Sequence, residues 1–241
     1  MEITSVLALG LMFGIRHAFD GDHLAALATL AVRTRSGVET VRVGIAWGLG
    51  HAATLFTVGA VVLFAGVGLD ERFAHLIEVA VGIMLIGLGA DTVRSAIRNR
   101  VHIHRHRHGD HVDHVHVHAH PMRGAHDRSD HRHVHRAALP RRAAIVGLVH
   151  GLAGSAALVL LALGSAETFA IGLAYLAVFG LGSVLGMAAL SLVIAVPLTT
   201  FAGGRPRALS GLRVVAGLVS VVLGVVVVSA SLPLDGWTAP P

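Results

Sequence analysis

Long apolar stretches separated by short polar segments dominate the pattern of residues along the chain. Each stretch is about 20 residues or longer, which is the length that an α-helix needs to cross a bilayer. Lipid offers no partner for backbone N–H and C=O groups, so helices are expected rather than open strands. The pattern predicts an all-α integral membrane protein with six spans, at residues 3–32, 43–68, 74–97, 143–164, 168–198 and 211–232.

The composition agrees with a membrane protein, since 54% of the residues are hydrophobic. The first span has no basic segment before it and no small-residue cleavage site after it, so we expect a retained helix and not a signal peptide. The formal net charge of +5 comes from arginines that lie mostly between spans, which gives no reason to expect nucleic-acid binding. The expected surroundings are a lipid bilayer, and assembly into a homo-oligomer stays open.

The arginines between the spans predict the orientation of the chain. The first loop carries Arg33, Arg35 and Arg42, the third is rich in arginine, and the fifth carries Arg205 and Arg207. Positively charged loops face the cytoplasm. We therefore expect loops one, three and five in the cytoplasm and both termini outside, in the cell (plasma) membrane.

The two halves of the sequence resemble each other at a nearly constant spacing. His17 matches His150 at a separation of 133 residues, and Gly48 matches Gly180 at 132. A repeat of three spans is odd-numbered, so the second copy must cross the membrane in the opposite direction, as in many secondary transporters. The predicted units are a three-helix repeat at 1–98, a histidine-rich cytoplasmic loop at 99–142 and a second three-helix repeat at 143–241.

Histidine dominates the third loop, because 13 of the 18 histidines lie between His102 and His135. This segment has too few apolar residues to form a core, so we expect it to be disordered unless metal orders it. Neutral imidazoles bind nickel, cobalt, zinc and copper. Metal buffering is predicted for His102, His104, His106, His108, His111, His114, His116, His118 and His120, and a solvated charged linker is the alternative.

A polar cluster interrupts the first span. Each charge at mid-membrane depth costs about 2.5–3.5 kcal/mol on insertion scales, so an ion pathway is the default hypothesis. On a regular helix His17, Asp20 and His23 share one face and Asp22 points elsewhere. Asp22 joins them only if the helix breaks at the neighbouring glycine. A local ion pair between Arg16 and Asp20 is the alternative. The cluster consists of Arg16, His17, Asp20, Asp22 and His23.

Two imidazoles and two carboxylates without cysteine suit a borderline divalent cation such as nickel, cobalt or zinc. His51 lies among small residues of the second span and can reach the cluster, although a histidine bonded between helices is the alternative. His150, the counterpart of His17, is open between a ligand, a gate and a packing group. The predicted metal-site residues are His17, Asp20, Asp22, His23, His51 and His150.

These motifs resemble the nickel/cobalt transporter (NiCoT) family, within the wider nickel–cobalt permease superfamily. The family signature is a histidine, four residues and then Asp-His, as in His17, Asp22 and His23. A Gly-His motif in the next helix is matched at His51, and residues 147–155 are similar to the second-half motif of the shorter permeases. The resemblance implies a secondary permease for Ni²⁺ and/or Co²⁺, without enzyme activity and without a cofactor.

The direction of transport has two interpretations. The Asp-rich first motif is similar to the importers, whereas the histidine-rich loop is similar to the efflux branch, and longer members have eight spans. We expect uptake; the alternatives are efflux by the same scaffold, or a membrane-anchored metal sensor or storage protein that uses the loop. The sequence has no His-Glu-x-x-His motif and no nucleotide-binding lysine loop, so neither a metalloprotease nor an ATPase is expected.

Overall fold

The computed structural model describes residues 3–34, 36–66, 71–98, 101–108, 112–119, 138–152, 168–202 and 206–232. Four of the described helices are long and apolar enough to cross a membrane, and a bent pair of shorter helices makes a fifth such unit. The protein is a multi-pass membrane protein, and the part of it that crosses the membrane is entirely α-helical. The elements are α1 (Ile3–His17), α2 (Gly21–Ala31), α3 (Gly37–Ala65), α4 (Glu71–Arg98), β1 (Val101–His108), β2 (Val112–Ala119), α5 (Ala138–His150), α6 (Phe169–Ala202) and α7 (Pro206–Ser231).

The first predicted span is a helix broken in its middle. α1 and α2 meet at an angle of 55°. Asp20 has extended backbone angles (φ −62°, ψ 150°) and stands at the N-cap position of α2. The break that brings Asp22 into the cluster is therefore present, and it lies directly before Gly21.

The second predicted span begins earlier than the apolar pattern suggested. The Ser36 hydroxyl accepts a hydrogen bond from the Glu39 backbone N–H at 3.2 Å and caps α3. The helix ends before Gly66, whose φ of 63° is a left-handed conformation that favours glycine. The predicted start at residue 43 is wrong, because a capped polar turn extends the helix beyond its apolar stretch.

α3 and α6 lie side by side in opposite directions. Gly44 of α3 faces Met187 and Ser191 of α6, and Gly48 faces Val184. A methyl group on either glycine would collide with these neighbours. Small residues let the two backbones approach closely, as is common between membrane helices.

Three further helix pairs pack through glycines: α1 with α6, α5 with α3, and α4 with α7. α1 runs parallel to α6, and α5 runs parallel to α3. α4 and α7 run antiparallel. The contacts that establish these directions are Gly10 with Tyr175 and Gly14 with Phe179; Gly147 with Trp47 and Gly151 with His51; and Gly82 with Gly224 and Gly89 with Gly217.

The carboxyl end of α2 is attached to the α4–α7 pair by arginines. Arg33 lies just after α2, and its Nη1 is 2.9 Å from Asp91 Oδ2. Its Nη2 donates a hydrogen bond to Thr92 Oγ1 at 2.9 Å. From α7, Arg213 Nε donates to the Val32 carbonyl at 3.0 Å. These bonds hold the end of α2 that is distant from the polar cluster.

Part of the histidine-rich segment forms an antiparallel hairpin of β1 and β2. The expectation of disorder is wrong for these two stretches, in which histidine recurs at every second position, the period of a strand. The register places three histidine pairs opposite each other: His102 with His118, His104 with His116, and His106 with His114. His108 ends β1, while His111 and His120 lie outside the described residues.

The fourth predicted span, residues 143–164, is described only as far as residue 152. Its helix α5 begins at Ala138, five residues before the predicted start. The remainder of the span lies outside the described residues, so the number of six spans stays a prediction.

Candidate metal site

The bend between α1 and α2 brings most of the predicted metal-site residues together. His23, His51 and His150 are each 1% exposed or less. His51 lies near the midpoint of α3, so the cluster lies about halfway along this helix. The residues that meet here are His17, Asp22, His23, His51 and His150.

Asp22 joins two helices through its carboxylate. Its Oδ1 accepts a hydrogen bond from the His23 backbone N–H at 2.8 Å and lies 3.0 Å from His23 Nδ1. Its Oδ2 lies 3.0 Å from Nε2 of His150, the last residue of α5. An ionised carboxylate only accepts hydrogen bonds, so both imidazoles donate to it. The acid therefore ties the first turn of α2 to α5.

Asp20 lies at the edge of the cluster. Its Oδ2 is 2.8 Å from His17 Nδ1, and its side chain is 55% exposed. A carboxylate that holds one imidazole nitrogen leaves the other free for a metal ion, an arrangement typical of metal centres. In the described part of the chain no ion pair joins Asp20 to Arg16. Asp20 therefore orients His17.

The imidazoles present several buried nitrogen atoms to one another. His17 Nε2, His23 Nε2 and both nitrogens of His51 have no hydrogen-bond partner in the described part of the chain. The ring of His23 lies 4.6 Å from that of His17 and 5.1 Å from that of His51, measured between centroids. Because buried polar atoms normally have partners, these nitrogens mark a place where a metal ion or water can bind.

Ligand atoms come close enough for a metal ion in two groups. The first is His17, His23 and His51, and the second is Asp22, His23 and His150. Within each group one ligand atom per residue lies within 4.8 Å of the others. Imidazole nitrogen with a carboxylate oxygen suits nickel, cobalt and zinc, whereas magnesium and calcium prefer oxygen ligands alone. The arrangement is chemically suited to a borderline divalent cation.

Trp47 is a contact residue of the site that was not predicted from the sequence. Its buried ring stacks on His23 at 5.8 Å with an interplanar angle of 23°, and meets His150 edge-on at 5.5 Å. Trp47 also packs against Gly147 of α5. Its position four residues before His51 is a signal that it shares a helix face with that residue.

We expect Trp47→Ala to lower nickel affinity about tenfold, because both ligand rings lose the surface that orients them. Trp47→Phe should keep at least half of the affinity, since a smaller aromatic ring still covers His23. Equilibrium dialysis of the purified chain with radiolabelled nickel measures both. Equal affinity of Trp47→Ala and the unsubstituted chain would contradict a positioning role.

Comparison with known proteins places the chain in a family. Residues 3–232 match the model of the NicO family, described as high-affinity nickel-transport protein. The chain belongs to this family. A curated relative from Bacillus sp. (strain TB-90), called urease accessory protein UreH, is 30% identical over 226 residues, which cover 93% of this chain and 91% of the relative. No solved structure gives a significant match.

Membership of the NicO family establishes the class of function. The family consists of nickel transporters and not of enzymes, and the matched residues include both halves of the chain with the two groups of potential metal ligands. The chain is therefore a multi-pass membrane transporter whose transported ion is a divalent metal, nickel. The expected resemblance to nickel and cobalt permeases is confirmed for the family and for nickel.

Proposed function

We propose that this NicO protein takes up Ni²⁺ across the cell membrane through the cluster at the α1–α2 bend. One observation carries the proposal: His17, His23 and His51 lie close together in a nickel transporter, and each has a buried nitrogen that lacks a partner among the described residues. High-affinity transport favours uptake, because collecting a scarce ion requires a site that is filled at low concentration. Cobalt is proposed as a second substrate, since this donor set also suits cobalt.

The chemistry of the site follows from its hydrogen bonds. A hydrated cation exchanges water for the nitrogens of His17, His23 and His51. The carboxylates of Asp20 and Asp22 offset its charge in a region of low dielectric constant, where an unpaired charge is costly. Each of them also holds the Nδ1 of a neighbouring histidine, and the Nε2 atoms remain available to the ion.

The proposed architecture is a pair of inverted repeats. Exchanging the two halves replaces α1 by α5, α3 by α6 and α4 by α7. The parallel pair α1–α6 then becomes the parallel pair α5–α3, and both pairs are present. In the pairs α3–α6 and α4–α7 the exchange swaps the two helices of the same pair, and both pairs are antiparallel. A twofold axis in the membrane plane requires this pattern, which supports six spans in repeats at 1–98 and 143–241.

Individual contacts repeat in the same way. Gly14 packs against the backbone of Phe179, and Gly147 packs against the backbone of Trp47. These four residues are equivalent under the exchange. His17 and His150 follow the two glycines at the same distance along the chain. The repeats therefore share the packing that places a histidine at the centre, while the acids belong to the first repeat alone.

Uptake is tested by radiolabelled nickel in cells that carry the intact chain, the His17→Ala variant or an empty vector. We expect accumulation above the vector level, reduced about tenfold by His17→Ala because a ligand is lost. Excess unlabelled cobalt should compete. Accumulation below the vector level would indicate efflux, and accumulation that depends on residues 99–137 but not on His17 would indicate metal storage by the histidine-rich segment.

The orientation is tested with single cysteines, because the chain has none of its own. Ser36 and Thr168 are equivalent helix-capping positions at the starts of α3 and α6. With loops one, three and five in the cytoplasm, a membrane-impermeant maleimide should label Thr168→Cys in intact cells. Ser36→Cys should react only after permeabilisation. Labelling of both from the same side would contradict the inverted repeat.

A further inference from the structure

The two groups of potential ligands share one residue, His23. Its ring lies between the others, 4.6 Å from His17, 5.1 Å from His51 and 4.3 Å from His150. His23 Nδ1 is bonded to Asp22, whereas His23 Nε2 is buried without a partner in the described part of the chain. His23 therefore belongs to both groups and has one buried nitrogen, Nε2, that is not already bonded to Asp22.

The two groups differ in how their polar atoms are satisfied. In the first, His17 Nε2, His23 Nε2 and the nitrogens of His51 lack partners in the described part of the chain. In the second, Asp22 already accepts hydrogen bonds from His23 and His150. The first position is open to a cation, and the second is held closed by its own hydrogen bonds.

Each of the two positions lies beside a carboxylate that is at least partly exposed. His17, in the first group, is bonded to Asp20, whose side chain is 55% exposed. His150, in the second group, is 1% exposed and lies at the end of α5. The second group contains a partly exposed carboxylate of its own, since the Asp22 side chain is 33% exposed. An ion can therefore approach one position past Asp20 and the other past Asp22.

From these observations, and resting on the proposed transport function, we infer that nickel occupies two overlapping positions in turn and that His23 passes it between them. His23 Nε2 holds the ion throughout. On one side of it the imidazoles of His17 and His51 leave, and on the other the carboxylate of Asp22 and the imidazole of His150 arrive.

His150 has a second ring nitrogen that can face the ion. His150 donates through Nε2 to Asp22, and its Nδ1 is buried without a partner in the described part of the chain. A rotation of the ring presents Nδ1 to the ion, and the ion replaces an N–H group as the partner of the Asp22 carboxylate. The hydrogen bond between Asp22 and His150 thus keeps the second position closed until the ion arrives.

The experiment separates binding from transport in the purified full-length chain. Nickel K-edge absorption spectroscopy counts imidazole ligands, equilibrium dialysis gives the affinity, and proteoliposomes give the initial rate of transport. The matched variants are His51→Gln, in the first position, and His150→Gln, in the second. Glutamine at 150 retains an N–H donor for Asp22.

With less than one nickel ion per chain, so that the buried cluster fills before the histidine-rich segment, we expect three imidazole ligands in the unsubstituted chain. His51→Gln should lose one of them and about tenfold or more in affinity. His150→Gln should keep all three and an affinity within about threefold, yet transport at least tenfold more slowly, because the ion has no second position to enter. If His150→Gln is not recovered as a folded protein, His150→Asn, which also keeps an N–H donor for Asp22, is expected to show the same separation of binding from transport.

Other outcomes overturn the inference. Four imidazole ligands that fall to three in His150→Gln would show a single four-histidine centre. An unchanged transport rate in His150→Gln would remove the second position from the pathway. Both results leave the proposed function intact, which fails separately if the unsubstituted chain neither binds nor transports nickel, or if His51→Gln changes nothing.

Discussion

His23→Ala is expected to reduce nickel transport to the level of cells without the protein, a loss of at least about 100-fold. The reason is that His23 belongs to both groups of potential ligands and is almost fully buried between them. Its loss also removes one of the imidazole bonds to Asp22. The substitution therefore removes a ligand and a hydrogen-bond partner of Asp22 together. In many metal sites the loss of an orienting partner alone lowers metal affinity or activity 10–100-fold. The measurement is initial nickel uptake at equal protein level in the membrane.

His75→Ala is the matched control, since His75 is a half-exposed histidine of α4 outside both ligand groups. Uptake by this variant should equal that of the unsubstituted chain. If His23→Ala kept more than half of the uptake, the cluster at the α1–α2 bend would not be the transport site. Similar losses in both variants would point to a general effect of removing histidine.

The part of the site that lies within one short segment, residues 17–23, could be predicted from the sequence. Charged residues inside an apolar stretch have few stable arrangements, and glycine beside Asp20 and Asp22 marks where a helix can break. The sequence therefore predicted both the pathway and the condition under which Asp22 joins His17. The family model over residues 3–232 agrees with the transport function inferred from these residues.

The contacts between residues that are far apart in the sequence could not be predicted. Asp22 and His150 are 128 residues apart, and their contact depends on α5 lying against α3. No local propensity encodes which helices become neighbours, because shape matching between glycine-containing surfaces decides it. The constant spacing between the halves gave His150 an equivalent in His17 but no partner. Trp47 was missed for the same reason, since its contact with His150 exists only in the packed structure.

Gly147→Ala is expected to give the largest loss of stability among the single substitutions considered. A methyl group at this position would collide with the backbone carbonyl and the side chain of Trp47. A backbone carbonyl cannot move aside without separating α5 from α3, so the cost should reach about 1–3 kcal/mol or more. Thermal unfolding of the purified protein in detergent, followed by size-exclusion chromatography, measures the loss.

Gly87→Ala makes the same chemical change in α4, where a methyl group meets nothing within 4 Å. Alanine favours a helix over glycine by about 1 kcal/mol, so this variant should be as stable as the unsubstituted chain or more stable. Because Gly147 lies one turn before His150, its substitution should also weaken nickel binding in the fraction that folds. Equal stability of the two variants would mean that the contact between α5 and α3 is looser than described, and with it the position of His150 beside Asp22.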